Sequence, residues 1–139
     1  MAAIRAKNTE PEIVLRKGLH RRGFRYGLHS ANVLGKPDLV FRSRRSVIFV
    51  HGCFWHGHDC SYFRLPSTRP EFWRKKIESN RRRDTVVADQ LRASGWRVLT
   101  VWECATRDQG PKAIELVLDR AARWLNSNAC AGQIRGHRS

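Results

Sequence analysis

The run His51-Gly52-Cys53-Phe54-Trp55-His56-Gly57-His58-Asp59-Cys60 concentrates imidazoles and thiols in one short segment, with no redox-type CxxC pair in it. Cys53, His58 and Cys60 fall within eight residues, and Cys104 directly follows a run that includes Val98-Leu99-Thr100-Val101-Trp102. Three thiolates and one imidazole complete a tetrahedral shell for Zn2+ and leave no place for water, so the set reads as a structural zinc site. Such a site pins an irregular loop to the end of a core strand, standing in for core that a small chain cannot build. Buried thiols beside unrelated histidines are the alternative, and clustering at ligand spacing argues against it. Cys130 has no evident partner and stays outside the set.

Metal-assisted cleavage of a phosphodiester needs a carboxylate to hold Mg2+ and a base to generate the attacking hydroxide. Asp38 follows Pro37 at the start of Leu39-Val40-Phe41. A hairpin that pairs this run with Val47-Ile48-Phe49-Val50 and turns near Ser43 and Arg44 sets Asp38 opposite Phe49 or Val50. The Val50 carbonyl is then a second hard oxygen beside Asp38, and His51 and His56 are carried to the same place. An imidazole near its ordinary pKa of about 6.5 can act as general base or acid. Glu12, one turn into an expected first helix, can orient one of these histidines if that helix crosses the hairpin. Each residue alone has a plainer reading: Asp38 as a turn carboxylate, His56 as a spare zinc ligand, Glu12 as a partner of the helix dipole. Together they favour a metal-dependent nuclease over a non-catalytic zinc DNA-binding module or a basic ribonucleoprotein component.

Phe54 and Trp55 stand side by side in the same loop, and Trp73 lies in the basic run Phe72-Trp73-Arg74-Lys75-Lys76. Aromatics beside cations can wedge between base pairs, and a wedge selects pairs that unstack cheaply. Core filling is the alternative for Trp73, and the expected role of Trp102 and Trp124. The 139 residues carry 27 Lys and Arg against 12 Asp and Glu, a formal charge of +15. A domain that basic usually meets a polyanion, because neutralising phosphates releases counterions. No stretch approaches the roughly 18 apolar residues of a membrane helix and no signal-peptide run opens the chain, so a cytoplasmic, nucleoid-associated monomer is expected.

The elements that must position these groups can be read in order. Asn8 or Thr9 caps a first helix with Pro11 in its first turn, Leu15 and Leu19 on one face and Gly23 at its end. The hairpin and the Cys/His loop follow. Pro70 to Ser94 is a charged helical stretch, as one helix or two, with Ile77, Val87 and Leu91 inward. A strand at Val98–Trp102 and a helix from Lys112 to Leu125 complete the pattern. The tail from 126 to 139 is polar and basic and is expected to fray, leaving 1–125 as a single domain. The class is α/β, with a small mixed sheet flanked by helices.

The run Val47 to Cys60, with Trp96-Arg97-Val98-Leu99 and Val101-Trp102-Glu103-Cys104, resembles the very-short-patch-repair (Vsr) endonucleases. The likeness runs from Met1 to about Leu125. It implies a restriction-endonuclease-like fold of the PD-(D/E)xK type with an added structural zinc. It also implies Mg2+-dependent nicking of DNA beside T:G mismatches left by deamination of 5-methylcytosine, with a same-scaffold nuclease that cuts without T:G specificity as the alternative. The family's metal-binding aspartate falls on Asp38, its carbonyl ligand on Val50, its water-activating base on His56, and its supporting catalytic positions on His51 and Glu12. Its zinc ligands fall on Cys53, His58, Cys60 and Cys104, and its intercalating residues on Phe54, Trp55, Trp73 and Met1. A cytosine methyltransferase and mismatch-repair proteins are the partners it implies besides DNA. Val50 stands where well-known members carry threonine, which leaves only the carbonyl, and the chain is expected to lack the basic arm that usually precedes the domain.

Overall fold

The computed structural model describes residues 10–28, 33–60, 63–107 and 110–136. The expected cap at Asn8 or Thr9, and Met1, lie outside them. In chain order the elements are α1 (Glu10–Arg21), β1 (Gly27–Leu28), β2 (Leu39–Phe41), β3 (Ser46–His51), α2 (Pro70–Ala93), β4 (Arg97–Trp102), α3 (Gly110–Leu125) and β5 (Ala131–Ile134). The strands form one mixed sheet in the order β1-β2-β3-β4-β5. The first three pair antiparallel, and β3, β4 and β5 run parallel.

Two-residue alternation divides the sheet's side chains between two faces. Leu39, Phe41, Ile48, Leu99 and Val101 point to one face and are buried against Leu15 and Leu19 of α1 and Val117, Leu118 and Ala121 of α3. Val40, Val47 and Val98 point to the other, where Leu91 of α2 covers them with Val87 and Ala88. Helices therefore lie on both faces, as the apolar periodicity requires. The Pro70–Ser94 stretch is one helix of 24 residues, with Pro70 at its first turn.

The β2–β3 hairpin forms without a turn glycine or asparagine. A short 3-10 turn at Arg42–Arg44 ends on Arg45, whose φ is 50°. The guanidinium of Arg45 stacks over Trp96 at 4.5 Å and donates to the Ser94 carbonyl at 2.8 Å, which offsets the cost of a left-handed non-glycine residue.

The tail corrects the sequence expectation. Ala131–Ile134 does not fray but pairs with Val98–Val101 as a fifth strand, and Ile134 is 4% exposed. The domain therefore extends past Leu125. The signal was weak because only Ile134 of the strand is buried, and a parallel edge strand needs no alternating pattern on its open face. No helix among the described residues is long and apolar enough to cross a membrane.

Candidate active site

The register pairs Leu39 with Ile48, so Asp38 sits just beyond the end of the β2–β3 ladder. There its Oδ2 accepts the Val50 N–H at 2.7 Å. The N–H and C=O of one strand residue point to the same edge, so the Val50 carbonyl also faces the β2 side, beside Asp38. Asp38 and Val50 are thus brought together at the mouth of the hairpin. Burial pushes the Asp38 carboxyl up to about 7; the buried Glu12 carboxylate adds to the rise, while the Val50 N–H and His56 oppose it.

Glu12, 1% exposed in the first turn of α1, is thus close enough to act on Asp38, and it pairs with Arg16 at 3.4 Å. The carboxylate on a histidine is a different one. His56 Nδ1 lies 2.5 Å from Asp84 Oδ2 on α2. Asp84 was missing from the sequence expectation, hidden in Arg81-Arg82-Arg83-Asp84. The available signal was its spacing: Ile77, Asp84 and Leu91 fall at seven-residue intervals, so one acidic residue interrupts the inward stripe of α2.

His51 and His56 stack face to face, ring centroids 3.9 Å apart and planes 3° from parallel. Burial, then the neighbouring His56, lower His51 to about 3 despite Asp84, which favours the neutral imidazole. These groups open on a cleft of about 1400 Å³ whose lining includes Lys36, Arg81, Arg83, Arg92 and Arg135, a cationic wall around the carboxylates.

Beside the cleft, Cys53, His58, Cys60 and Cys104 bring one donor atom each within 4.8 Å of one another, in positions that could hold a metal ion. His58 Nδ1 lies 3.5 Å from both Cys53 Sγ and Cys104 Sγ. Ligands at about 2.3 Å for sulfur and about 2.0 Å for nitrogen on a tetrahedral ion stand roughly 3.5 Å apart, so the spacing fits one. Burial raises the Cys53 and Cys104 thiols above the ordinary range, and a cation is what would make their thiolates favourable there. Cys130 is exposed and apart from this set.

The loop is pinned elsewhere too. Glu103 accepts the Cys53 N–H at 3.2 Å, and Asn80 of α2 donates to the Trp55 carbonyl at 2.8 Å. Gly57 turns at φ 60°, and a Cβ there would stand 2.6 Å from Ile77, so α2 packs directly on the loop backbone. Phe54, Trp55 and Trp73 gather with centroids 5.0–5.6 Å apart, each half-buried. Trp73 is therefore neither core nor isolated. Trp102 is 9% exposed, and its ring stacks on His58 at 4.0 Å and meets His51 edge-on at 5.3 Å.

Comparison with known proteins agrees with this geometry. A family profile described as DNA mismatch endonuclease Vsr matches residues 1–62. The chain is 40% identical over 134 residues to the DNA mismatch endonuclease Vsr of Escherichia coli, covering 96% of this chain and 86% of that protein. It is 51% identical over 110 residues to the type II nicking enzyme V.XorIIP of Xanthomonas oryzae, covering 79% and 81%. It is 39% identical over 109 residues to the type II nicking enzyme V.NmeAIP of Neisseria meningitidis, covering 78% of each. Similarity this high, over nearly the whole chain, places the protein in the Vsr family of DNA mismatch endonucleases.

Proposed function

We propose that this protein nicks one strand of double-stranded DNA beside a T:G mismatch by Mg2+-dependent phosphodiester hydrolysis, in the repair of deaminated 5-methylcytosine. The observation that carries the reading is the convergence of Asp38, the Val50 carbonyl and the His56–Asp84 pair on one cation-walled cleft. Asp38 and the Val50 carbonyl are the oxygens that would hold Mg2+. When bound, the ion supplies positive charge for the developing phosphorane and lowers the pKa of a coordinated water.

His56 is the base. With Nδ1–H donated to Asp84, its lone pair is confined to Nε2, and Asp84 stabilises the imidazolium formed when Nε2 takes the proton. His51, neutral and stacked on His56, fixes the plane of that ring. Glu12 loads further negative charge beside Asp38, which favours a cation there. Zn2+ is the ion proposed for the four-residue thiolate site, held by Cys53, His58, Cys60 and Cys104. Phe54, Trp55 and Trp73 form the wedge, and selection of a weak pair follows from the lower cost of unstacking it. The restriction-endonuclease-like fold of the PD-(D/E)xK type is proposed on the same family grounds.

The test uses Mg2+ and two end-labelled duplexes that differ by one T:G pair, with Asp38→Ala in parallel. A single nick in the T strand of the mismatched duplex alone, lost in the variant, is expected. Cutting of both duplexes would discard the mismatch specificity, and no cutting by folded, DNA-bound protein would overturn the enzyme reading.

A further inference from the structure

The segment expected to fray ends against the Cys/His cluster of Cys53, His58, Cys60 and Cys104. β5 runs parallel to β4, with Ile134 beside Val101, and β4 leads directly into Cys104. Just past β5, the buried Gly136 N–H donates to Cys104 Sγ at 3.2 Å. A Cβ at residue 136 would stand 2.7 Å from the Cys104 carbonyl oxygen and 3.3 Å from the Cys104 Cβ, so only glycine brings an N–H this close.

Arg135 takes hold of the loop from the other side. Its Nη2 donates to the Asp59 carbonyl at 2.9 Å, and its Nη1 pairs with the Asp59 carboxylate at 2.9 Å. Asp59 lies between His58 and Cys60, and its carboxylate is 3.8 Å from His58 Nε2. That nitrogen is buried and makes no hydrogen bond among the described residues, while Nδ1 of the same ring faces the thiols.

We propose that Arg135 and Gly136 are positioning residues of the metal centre, and that the C-terminal strand and the metal stabilise one another. The inference rests on the metal reading of Cys53, His58, Cys60 and Cys104. A dication with three thiolates retains one net negative charge in a mostly buried place. The Gly136 N–H withdraws part of that charge at Cys104, and the Arg135 guanidinium offsets more of it from the Asp59 side. By holding Asp59, Arg135 also keeps a carboxylate at the one edge of His58 that needs an acceptor once Nδ1 is a ligand. Supports of this kind typically govern metal affinity by about 10–100-fold. Because the coupling is reciprocal, metal binding strengthens strand docking by the same factor that docking strengthens metal binding.

The experiment compares the full chain with Arg135→Ala, Arg135→Lys, Gly136→Ala and, as a charge control on the exposed side of α3, Arg120→Ala. Cobalt uptake is read by its thiolate charge-transfer absorption, and zinc affinity by competition with a chromophoric chelator. Arg135→Ala and Gly136→Ala are expected to weaken zinc about tenfold or more, Arg135→Lys less, and Arg120→Ala under about twofold. Metal loading is expected to slow amide hydrogen exchange across residues 131–136. Should Gly136→Ala fail to fold, Arg135→Ala and the exchange data decide. Unchanged affinity in Arg135→Ala, or exchange at 131–136 indifferent to metal, would overturn the inference and leave the metal site standing. Absence of any thiolate–cobalt absorption in the unaltered protein would overturn both.

Discussion

Asp38 is expected to weaken the fold it serves. Burial holds its carboxyl near 7 instead of 3.8, so the folded chain binds that proton more tightly than the unfolded chain does. The stabilisation from the bound proton is complete below about pH 4 and is lost as pH rises through about 7. A shift of about 3 units at ~1.36 kcal/mol each sets a ceiling of ~4 kcal/mol. Asp38 borders an open cleft, so water relaxation should reduce the observable part to about 1–2 kcal/mol. The groups facing it are Glu12 from α1, which raises its pKa, and His56 and the Val50 N–H, which lower it. His51 and Asp84 each contact His56 and line the same cleft.

Asp38→Asn fixes the uncharged form and keeps an acceptor for the Val50 N–H. Without Mg2+ but with the thiolate site loaded, the variant should melt about 3–8 °C above the unaltered protein at pH 8. At pH 4.5 the gap should be smaller, and it should close only below about pH 4, where Asp38 is protonated in the unfolded chain as well as in the folded one. Adding Mg2+ at pH 8 should raise only the unaltered protein, and the variant's nicking rate should fall by at least about 10²–10³-fold. Equal destabilisation of the variant at both pH values would refute the reasoning, since Asp38 would then be a well-solvated carboxylate whose charge the fold uses.

Other perturbations separate the remaining parts. Asp84→Asn should lower kcat about 10²-fold or more with DNA affinity within about threefold, measured by single-turnover nicking and duplex titration; a matching loss of affinity would assign Asp84 to the fold instead. Trp55→Ala and Trp73→Ala should each cut the preference for mismatched over matched duplex about tenfold, at the lower end of what one stacking contact contributes. Gly18→Ala would place a Cβ 2.4 Å from Leu118 Cδ1 and should cost about 1–3 kcal/mol by denaturant titration. Combined with Leu118→Ala, which alone should cost about 2–5 kcal/mol, the loss should fall well short of the sum, because each change relieves the other.

How much could be read in advance followed from range along the chain. The hairpin, and Asp38 against Val50 at its mouth, were legible because strand pairing is local and its register follows from the turn. The clustering of Cys53, His58 and Cys60 was legible because cysteines and histidines at close spacing are rare enough to stand out. Asp84 was not, because its partner His56 lies 28 residues away and the pairing depends on how α2 crosses the loop. The fifth strand was not, because what orders Ala131–Ile134 is an edge of β4 already completed by the rest of the sheet, not a pattern in its own residues. Glu12, expected to orient a histidine, instead acts on Asp38 and pairs with Arg16, which only the packing of α1 reveals.

The loop from Cys53 to Cys60 explains why a metal would belong here at all. It has no regular secondary structure, yet it carries the proposed base His56, two of the proposed wedge aromatics and three of the four members of the Cys/His cluster that could hold a metal. Ordering eight such residues costs roughly 8–16 kcal/mol in backbone entropy. A structural Zn2+ contributes about 10–16 kcal/mol in small folded sites, so one ion is of the size needed to hold the whole loop. The order would reach the cleft through side chains in contact: His58 stacks on Trp102 at 4.0 Å, Trp102 meets His51 at 5.3 Å, and His51 stacks on His56 at 3.9 Å. Stripping this ion should therefore abolish mismatch binding and nicking together, because wedge and base are lost at once. Asp38→Asn should abolish nicking and leave mismatch binding intact. If metal-stripped protein still told mismatched from matched duplex, the wedge would be held by Asn80 and the α2 packing alone, and the ion's role would shrink to the Cys104 end of the loop.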